Sequence, residues 1–562
     1  MYKYILKFFI FFGIIILYQS TAYSKITEKN NFNQKYLSDY FSALISLNNQ
    51  NNNDALKFFN SSKGLINKHS NFLKKYTYSL VLEGKISKSI NLLEGLDADK
   101  KDFFEAQLLI YLKHLKKKKF NKASETLINL KKYNKTGNYE YIIHDTLSNF
   151  NNLFLKSIFT ESEKNYGNLS LISDSFQNCY LNNSETSSYF ENLINLNEGD
   201  YSRYLFFYLS NLIENEKFET AIQLSNEVNY LNSSLLLSQS KQWINNKDFN
   251  KFKEHFSCRN ETDIVAEFFF LISNLYSSQK EYEKSNFYLN LSNYLNPNFY
   301  FNLSLLSENY FSNENYEISK KILDVFTKND EIYYWYKIKK KAQIINKQEN
   351  ETASLEFIEK KFKDFKSPNN KILFDMASIY KNFKEYKKSI DIYSRLLLIV
   401  DENSELYADI LYRRGGSYER IGEHEKSDKD LIKSLEIVPE DPYVMNYLAY
   451  SWLERGFKVE EAIKMLDIAY KKKDRDPYII DSVAWGYYLT GDYYKAEKLI
   501  LKALALMPQD PIVNDHYGDI LWKLNRKLQA RYFWKNVLKL ETIDEELKEN
   551  VRQKLLKGND KI

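Results

Sequence analysis

Along residues 405 to 540, small and large residues return with a long and regular period. Gly415, Ala449, Ala484 and Gly518 occupy equivalent positions, 34, 35 and 34 residues apart. A second small slot follows twelve residues later at Ser427, Ala496 and Ala530, and thirteen later at Ala462, where the turn RGFKVEE is longer. Four residues beyond each slot stands a large apolar residue: Leu431, Leu466, Ile500 and Trp534. A period of this length predicts repeated helix–turn–helix units, each too small to bury its apolar face alone. Small residues suit places where two helix axes approach closely, and the large ones fill the space toward the next unit. Turn signals fall at the joints. GEHEK, GDYYK and the Asp-Pro pairs at 441, 476 and 510 end and restart helices, and Pro439 and Pro508 close two units. The expected fold is all-α, an α-solenoid of stacked units with a right-handed superhelix.

Upstream the pattern is present but worn. Ala43 with Ala55, and Thr77 with Ser89, keep the twelve-residue offset, while Tyr111 with Ala123 puts a large residue in a small slot. Residues 139–200 lose the phase. Ala221 fits a second slot again, as do Ser273 with Ser285, Ser307 with Ser319, and Ala353 before Phe357. Ser367-Pro368-Asn369-Asn370 then breaks the chain, and Ala377 with Ser389 opens the regular half. Nine of the eleven arginines lie at or beyond Arg395, so composition also changes there. The expected division is a leader at 1–24, a degenerate array over 25–367, a regular array over 368–541 and a terminal capping helix in 542–562. Leu547, Val551 and Leu555 recur at helical spacing in that last segment, with Gly558 after its last turn.

The leader itself has Lys3 and Lys7, an apolar run from about Phe8 to Leu17, and a small-residue site at Ala22-Tyr23-Ser24. That is the layout of a secretory signal peptide, cleaved after Ser24. The competing reading is an uncleaved inner-membrane anchor at residues 5–18. Glycine and proline are scarce (15 and 7), as a mostly helical chain requires. A formal net charge of +5 on 562 residues, with lysines mixed among acids, gives no argument for nucleic acid. The basic run KHLKKKKF at 113–120 reads as a solvated helix face. The two cysteines, Cys179 and Cys258, stand more than two periods apart. Units of a solenoid touch only their neighbours, so two unpaired thiols are favoured unless the stretch near 179 folds back.

Chemistry-bearing motifs are few. None of the six histidines stands in an HExxH or His-x-His pattern, and there is no CxxC pair, phosphate loop or nucleophile elbow. Neither a catalytic residue, a metal site nor a cofactor is expected. His516, in NDHYGD, is the histidine beside acids that merits a test, with a structural role favoured. What the pattern offers is a surface. In such arrays the first helix of each unit lines the concave side. The position three before the small residue gives Tyr412, Asn446, Asp481 and Asp515. The position one after gives Gly416, Tyr450, Trp485 and Asp519, and three further come Glu419, Leu453, Tyr488 and Trp522. Read as a groove, these form a ladder of amides and carboxylates beside a ladder of aromatics, suited to a peptide backbone or a lysine. Its acids argue against an anionic chain terminus as ligand. The competing reading is that Trp522 and Trp534 pack between units.

NYLAYSWLERG, DPYIIDSVAWGYYLTGDYYKAEKLILKAL and DPIVNDHYGDILWKLNRKLQARYFW are the most specific segments. They resemble the C-terminal units of exported proteobacterial tetratricopeptide-repeat proteins, a group that includes an outer-membrane adaptor lipoprotein for a periplasmic carboxy-terminal processing protease. The shared pattern is Asp481, Ser482 and Trp485, followed one unit later by His516, Gly518, Asp519 and Trp522. The resemblance is strong over roughly residues 370–540. It implies a non-catalytic periplasmic scaffold or adaptor whose partner is a protein, a processing protease or an envelope-assembly factor. The lipid-bearing cysteine of that adaptor has no counterpart near Ser24. The alternative is an envelope-associated structural or glycan/lipid-binding protein held by its leader.

Overall fold

The computed structural model describes residues 33–559, apart from 135–138, 163, 196–201, 229–230, 232, 541–542 and 544. The expected leader at 1–24, and the apolar stretch 5–18 within it, lie outside the described residues. Among the described residues there are 30 α-helices, four short 3-10 turns and no strand. No helix among them is long and apolar enough to cross a membrane.

The chain forms two compact units. One ends at Lys217 and resumes over Phe249–Val325; the other takes Phe218–Asp248 and runs on from Phe326. The Ser367-Pro368 turn lies inside the second unit. The physical reason is a hydrophobic core continuous across the Ser367-Pro368 turn, in which Trp335, Ile338 and Ala342 pack with Ile372, Met376 and Ala377.

In the second unit the regular repeats are helices α1 (Asn370–Asn382), α2 (Tyr386–Leu396), α3 (Glu405–Arg420), α4 (His424–Ile437), α5 (Pro442–Glu454), α6 (Val459–Lys472), α7 (Pro477–Leu489), α8 (Tyr493–Leu506), α9 (Pro511–Lys523) and α10 (Lys527–Val537), closed by α11 (Glu545–Lys557). Each start is written in side-chain chemistry. Asp441, Asp476 and Asp510 each accept two backbone N–H groups of the first turn at 2.8–3.2 Å, and proline fills the next position, where no N–H is needed. Each hairpin turn needs one left-handed residue. Gly422, Gly456, Gly491 and Asn525 supply it, with φ of 77°, 62°, 85° and 62°. Ala449, Ala484, Ala462, Ala496 and Ala530 are completely buried, as are Leu431, Leu466, Ile500 and Trp534. Gly415 and Gly518 sit at close crossings. A Cβ on Gly415 would stand 3.0 Å from Leu431 Cγ, and one on Gly518 would run into the Trp534 indole.

The first unit does not follow the nearest-neighbour rule. Its helices Glu261–Ser278 and Tyr282–Leu295 fold back onto Ser70–Leu82 and Phe104–Lys116. Asn290 donates to the Leu82 carbonyl at 3.1 Å across 208 residues of sequence, and the Tyr78 and Phe287 rings stack at 4.8 Å. The basic run at 113–120 takes part in this closure. Lys116 donates to the Tyr294 carbonyl at 2.7 Å and lies over that ring, while Lys118 pairs with Glu261 at 2.9 Å.

The expectation of two unpaired thiols is corrected for the same reason. Helices Asn168–Leu181 and Ser202–Glu214 meet the segment around Phe256 through the tilted and edge-on rings of Phe176, Phe207 and Phe256. That brings Cys179 and Cys258 to a Cα separation of 5.9 Å, and they form a buried disulfide. The Asn211 amide donates to Cys179 Sγ at 3.2 Å.

Candidate functional site

The carboxylate and aromatic ladders of the last repeats are not an open surface. Asp481, Trp485, Tyr488, Asp515, Asp519 and Trp522 are all buried, at 8, 8, 2, 5, 2 and 6% exposure. Side chains three before and one after the small residue point along the stack, toward the first helix of the following unit. From α7, Asp481 meets His516 of α9, with Oδ1 to Nδ1 2.9 Å. The His516 ring stacks on Trp485 at 4.0 Å, and Trp485 stacks in turn on Tyr488 at 4.5 Å. The Trp485 indole N–H donates to Glu454 at 2.5 Å. His516 is thus enclosed between an acid and an indole, an arrangement that locks two units together.

One repeat later the chain supplies its own occupant. The terminal helix α11 takes the place of a further first helix, and Lys554 donates to both Asp515 and Asp519 at 2.7 Å. The Trp534 indole N–H donates to Asp519 at 3.2 Å, and Trp522 packs on Trp534 and on Gly558. Burial pushes the Asp519 carboxyl up to about 6, and neighbouring Asp515 adds to this against the pull of Lys554. For His516, burial works downward. The Asp481 carboxylate, with Asp515 and Asp519 beyond it, outweighs that and holds the imidazole above its ordinary value. No cluster of three or more metal-ligating side chains occurs among the described residues.

The remaining ladder residues, Tyr412, Asn446 and Tyr450, are half-buried on α3 and α5. Here the face is open and its charge is different. Tyr447 crosses Tyr412 edge-on at 5.9 Å and lies over the bare Gly416, its hydroxyl donating to Glu419 at 3.1 Å. On α1, Lys381 reaches the same spot. A Cβ on Gly416 would be 3.2 Å from its Nζ. The Lys381 ammonium makes no hydrogen bond or ion pair with the described residues. Burial first, and then Arg413 and Arg420, hold its ammonium below the ordinary lysine value against the opposing pull of Asp409 and Glu419. At this place the acids Asp409 and Glu419 are joined by a lysine that has no ion pair of its own. The acids further along are consumed internally by His516 and Lys554, and the open stretch presents an unpaired cation.

Sequence reasoning missed Lys381, Tyr447 and Lys554. Tyr447 falls outside the positions read as groove-facing, while Lys381, four residues after the small Ala377, holds the register of Glu419, Leu453, Tyr488 and Trp522 in a unit upstream of the four that were read. Lys554 had a legible signal: the acids Asp515 and Asp519 have no following repeat to pair with, and Lys554 lies one turn beyond Val551 on the terminal helix.

Among known proteins, the chain is 30% identical over 111 residues to the TPR repeat-containing protein PA4667 of Pseudomonas aeruginosa strain PAO1. The comparison supports a tetratricopeptide-repeat chain. The matched part spans 20% of this chain and 19% of that relative, about a fifth of each. No family model matches the chain. Partial similarity also extends to the tetratricopeptide protein TTC0263 of Thermus thermophilus, with 18% identity, 33% of this chain and 97% of that one covered, and a TM-score of 0.29. A MamA structure from Desulfovibrio magneticus RS-1 gives 16% identity, coverage of 30% and 96%, and a TM-score of 0.25. Superpositions this partial leave the architecture to be read from the chain's own helices. Stacked tetratricopeptide hairpins of this kind form extended surfaces for protein partners.

Proposed function

We propose that this chain is an exported, non-catalytic interaction scaffold that holds a partner polypeptide on the face formed by α1, α3 and α5. The observation that carries the reading is the half-buried ammonium of Lys381, unpaired and framed by Tyr412, Tyr447 and the bare backbone of Gly416. An unpaired buried cation is costly, and a carboxylate or carbonyl from a bound chain removes that cost. Asn446 adds an amide whose Oδ1 has no hydrogen-bond partner, and Tyr412 and Tyr450 add rigid apolar area. The resemblance to protease adaptors makes a periplasmic processing protease, or an envelope-assembly factor, the first partner to test.

The test is site-directed photo-crosslinking of the whole chain in its envelope, with the reactive group at Tyr412 or Tyr450 and a control at the exposed Ile432 of α4. One partner should be captured from both tyrosine positions and not from the control. Lys381→Glu should cut its yield at least tenfold. Equal capture from Ile432, or a yield indifferent to Lys381→Glu, would sink the proposal.

A further inference from the structure

The fold-back of the first unit forms an open-mouthed cavity of about 560 Å³ that the repeat pattern does not anticipate. Its walls come from four helices already named, Ser70–Leu82, Phe104–Lys116, Glu261–Ser278 and Tyr282–Leu295, and from the start of Tyr139–Lys156. Two of the walls are perpendicular aromatic faces: Tyr139 stands edge-on to Tyr276 at 4.9 Å and 82°, and Tyr276 lies parallel to Tyr288 at 5.7 Å. A third wall is the Tyr78–Phe287 stack.

The charges around these rings are mostly acidic. Four carboxylates, Glu105, Glu140, Glu281 and Glu283, face three ammoniums, Lys74, Lys75 and Lys284. Lys74 is exposed and only 3.5 Å from Glu105 Oε1, while Glu105 Oε2 is buried with no hydrogen-bond partner. The hydroxyls report the resulting field. Burial first, and then the surrounding glutamates, raise Tyr78, Tyr276 and Tyr288 above the usual phenol value. The chain already shows how a cation sits here. Lys284 places its ammonium 5.4 Å from the Tyr276 ring centre while pairing with Glu281 at the rim.

We propose that this cavity binds an organic cation of side-chain size, an alkylammonium group, against the Tyr276 face and the free oxygen of Glu105. The ring quadrupole attracts the positive charge, the carboxylate neutralises it, and the aromatic walls accept the methylene stem. An anion would meet the acidic excess. The same chemistry could arrive as a free diamine or as a lysine side chain on a peptide. The proposal stands independently of the scaffold face on α1, α3 and α5.

The experiment is calorimetric titration of the full chain with 1,5-diaminopentane, the tripeptide Ala-Lys-Ala, and 1,5-pentanediol as the neutral control of equal length. At least one cation should bind saturably and the diol should not. Binding by the diamine alone assigns a small-molecule site, and binding by the tripeptide alone assigns a peptide side chain. Glu105→Gln, which keeps the shape, should weaken binding at least tenfold with an unchanged thermal midpoint, and Lys284→Ala, which removes the resident ammonium, should tighten it. Equal binding of diol and diamine, no binding of any cation at millimolar concentration, or an undiminished affinity in Glu105→Gln would overturn the proposal.

Discussion

Lys554 shows how one side chain can decide the state of a repeat end. It lies half-buried against two carboxylates that would otherwise have no ion-pair partner, and removing it leaves Asp515 and Asp519 sharing a site. Lys554→Ala should therefore cost about 2–4 kcal/mol, toward the low end because its amine keeps some solvent contact. A urea titration checks this, and adding Asp519→Asn to the same chain should recover part of the loss. His516 makes the complementary case in pH. Its folded value lies above its ordinary one, and so does that of Asp519, at about 6. For a raised group, the stability it contributes is complete below the unfolded value and is lost as pH rises through the folded value. The repeats around α7 and α9 should thus weaken from about pH 4 for the aspartate, and above about pH 6.5 for the histidine. Replacing His516 by Asn should flatten the upper part of the curve. Superimposable urea midpoints for the two chains from pH 6 to 8 would remove His516 from the account.

At the scale of helices and turns, most of the regular half was legible because its signals are local. Asp441, Asp476 and Asp510 cap what they precede, and Gly415 and Gly518 mark crossings that admit no side chain. Gly518→Ala should destabilise by about 1–3 kcal/mol, since the added methyl meets the fixed Trp534 indole. Gly491→Ala should also destabilise, through its φ of 85° alone and with open space around it. Thermal melts of the two variants separate packing from backbone strain: a compensating Trp534→Phe should rescue only the first. The direction of side chains across the stack was harder to read. Asp481 and Trp485 have the residue types of a binding ladder, yet the helix behind them places His516 in between. The same spacing serves a groove or a seam, and only the next helix decides which. The fold-back of Glu261–Ser278 was not legible at all. Ser273 and Ser285 give it and the following helix Tyr282–Leu295 the same small-slot pattern as their neighbours, and the contacts of that following helix with Leu82 and Phe104–Lys116 run through Asn290 and Lys116, residue types that read as surface.

At the scale of the whole chain, the two units are closed by different means, and that difference can be measured. The second unit is ended by a helix and an ion pair. The first is tied by Cys179–Cys258 across 79 residues and by Arg203, which forks onto the buried Glu267 at 2.8 Å twice and onto Asn302 at 2.6 Å. A crosslink restricts the unfolded chain, so opening this one should cost about 2–4 kcal/mol. In a repeat array such a loss is local, because each hairpin is stabilised by its own contacts. Reduction, or the double change Cys179→Ser and Cys258→Ser, should therefore speed amide exchange in Asn168–Leu181 and in the helix Glu261–Ser278 that follows the bridge. Exchange in α7 and α9 should stay as it was. The cavity proposed to take an alkylammonium shares the Glu261–Ser278 helix through Tyr276, so its affinity should fall together with that protection. Uniform exchange changes along the chain, or none near Cys258, would mean that the bridge is incidental and that the aromatic packing of Phe176, Phe207 and Phe256 closes the first unit without it.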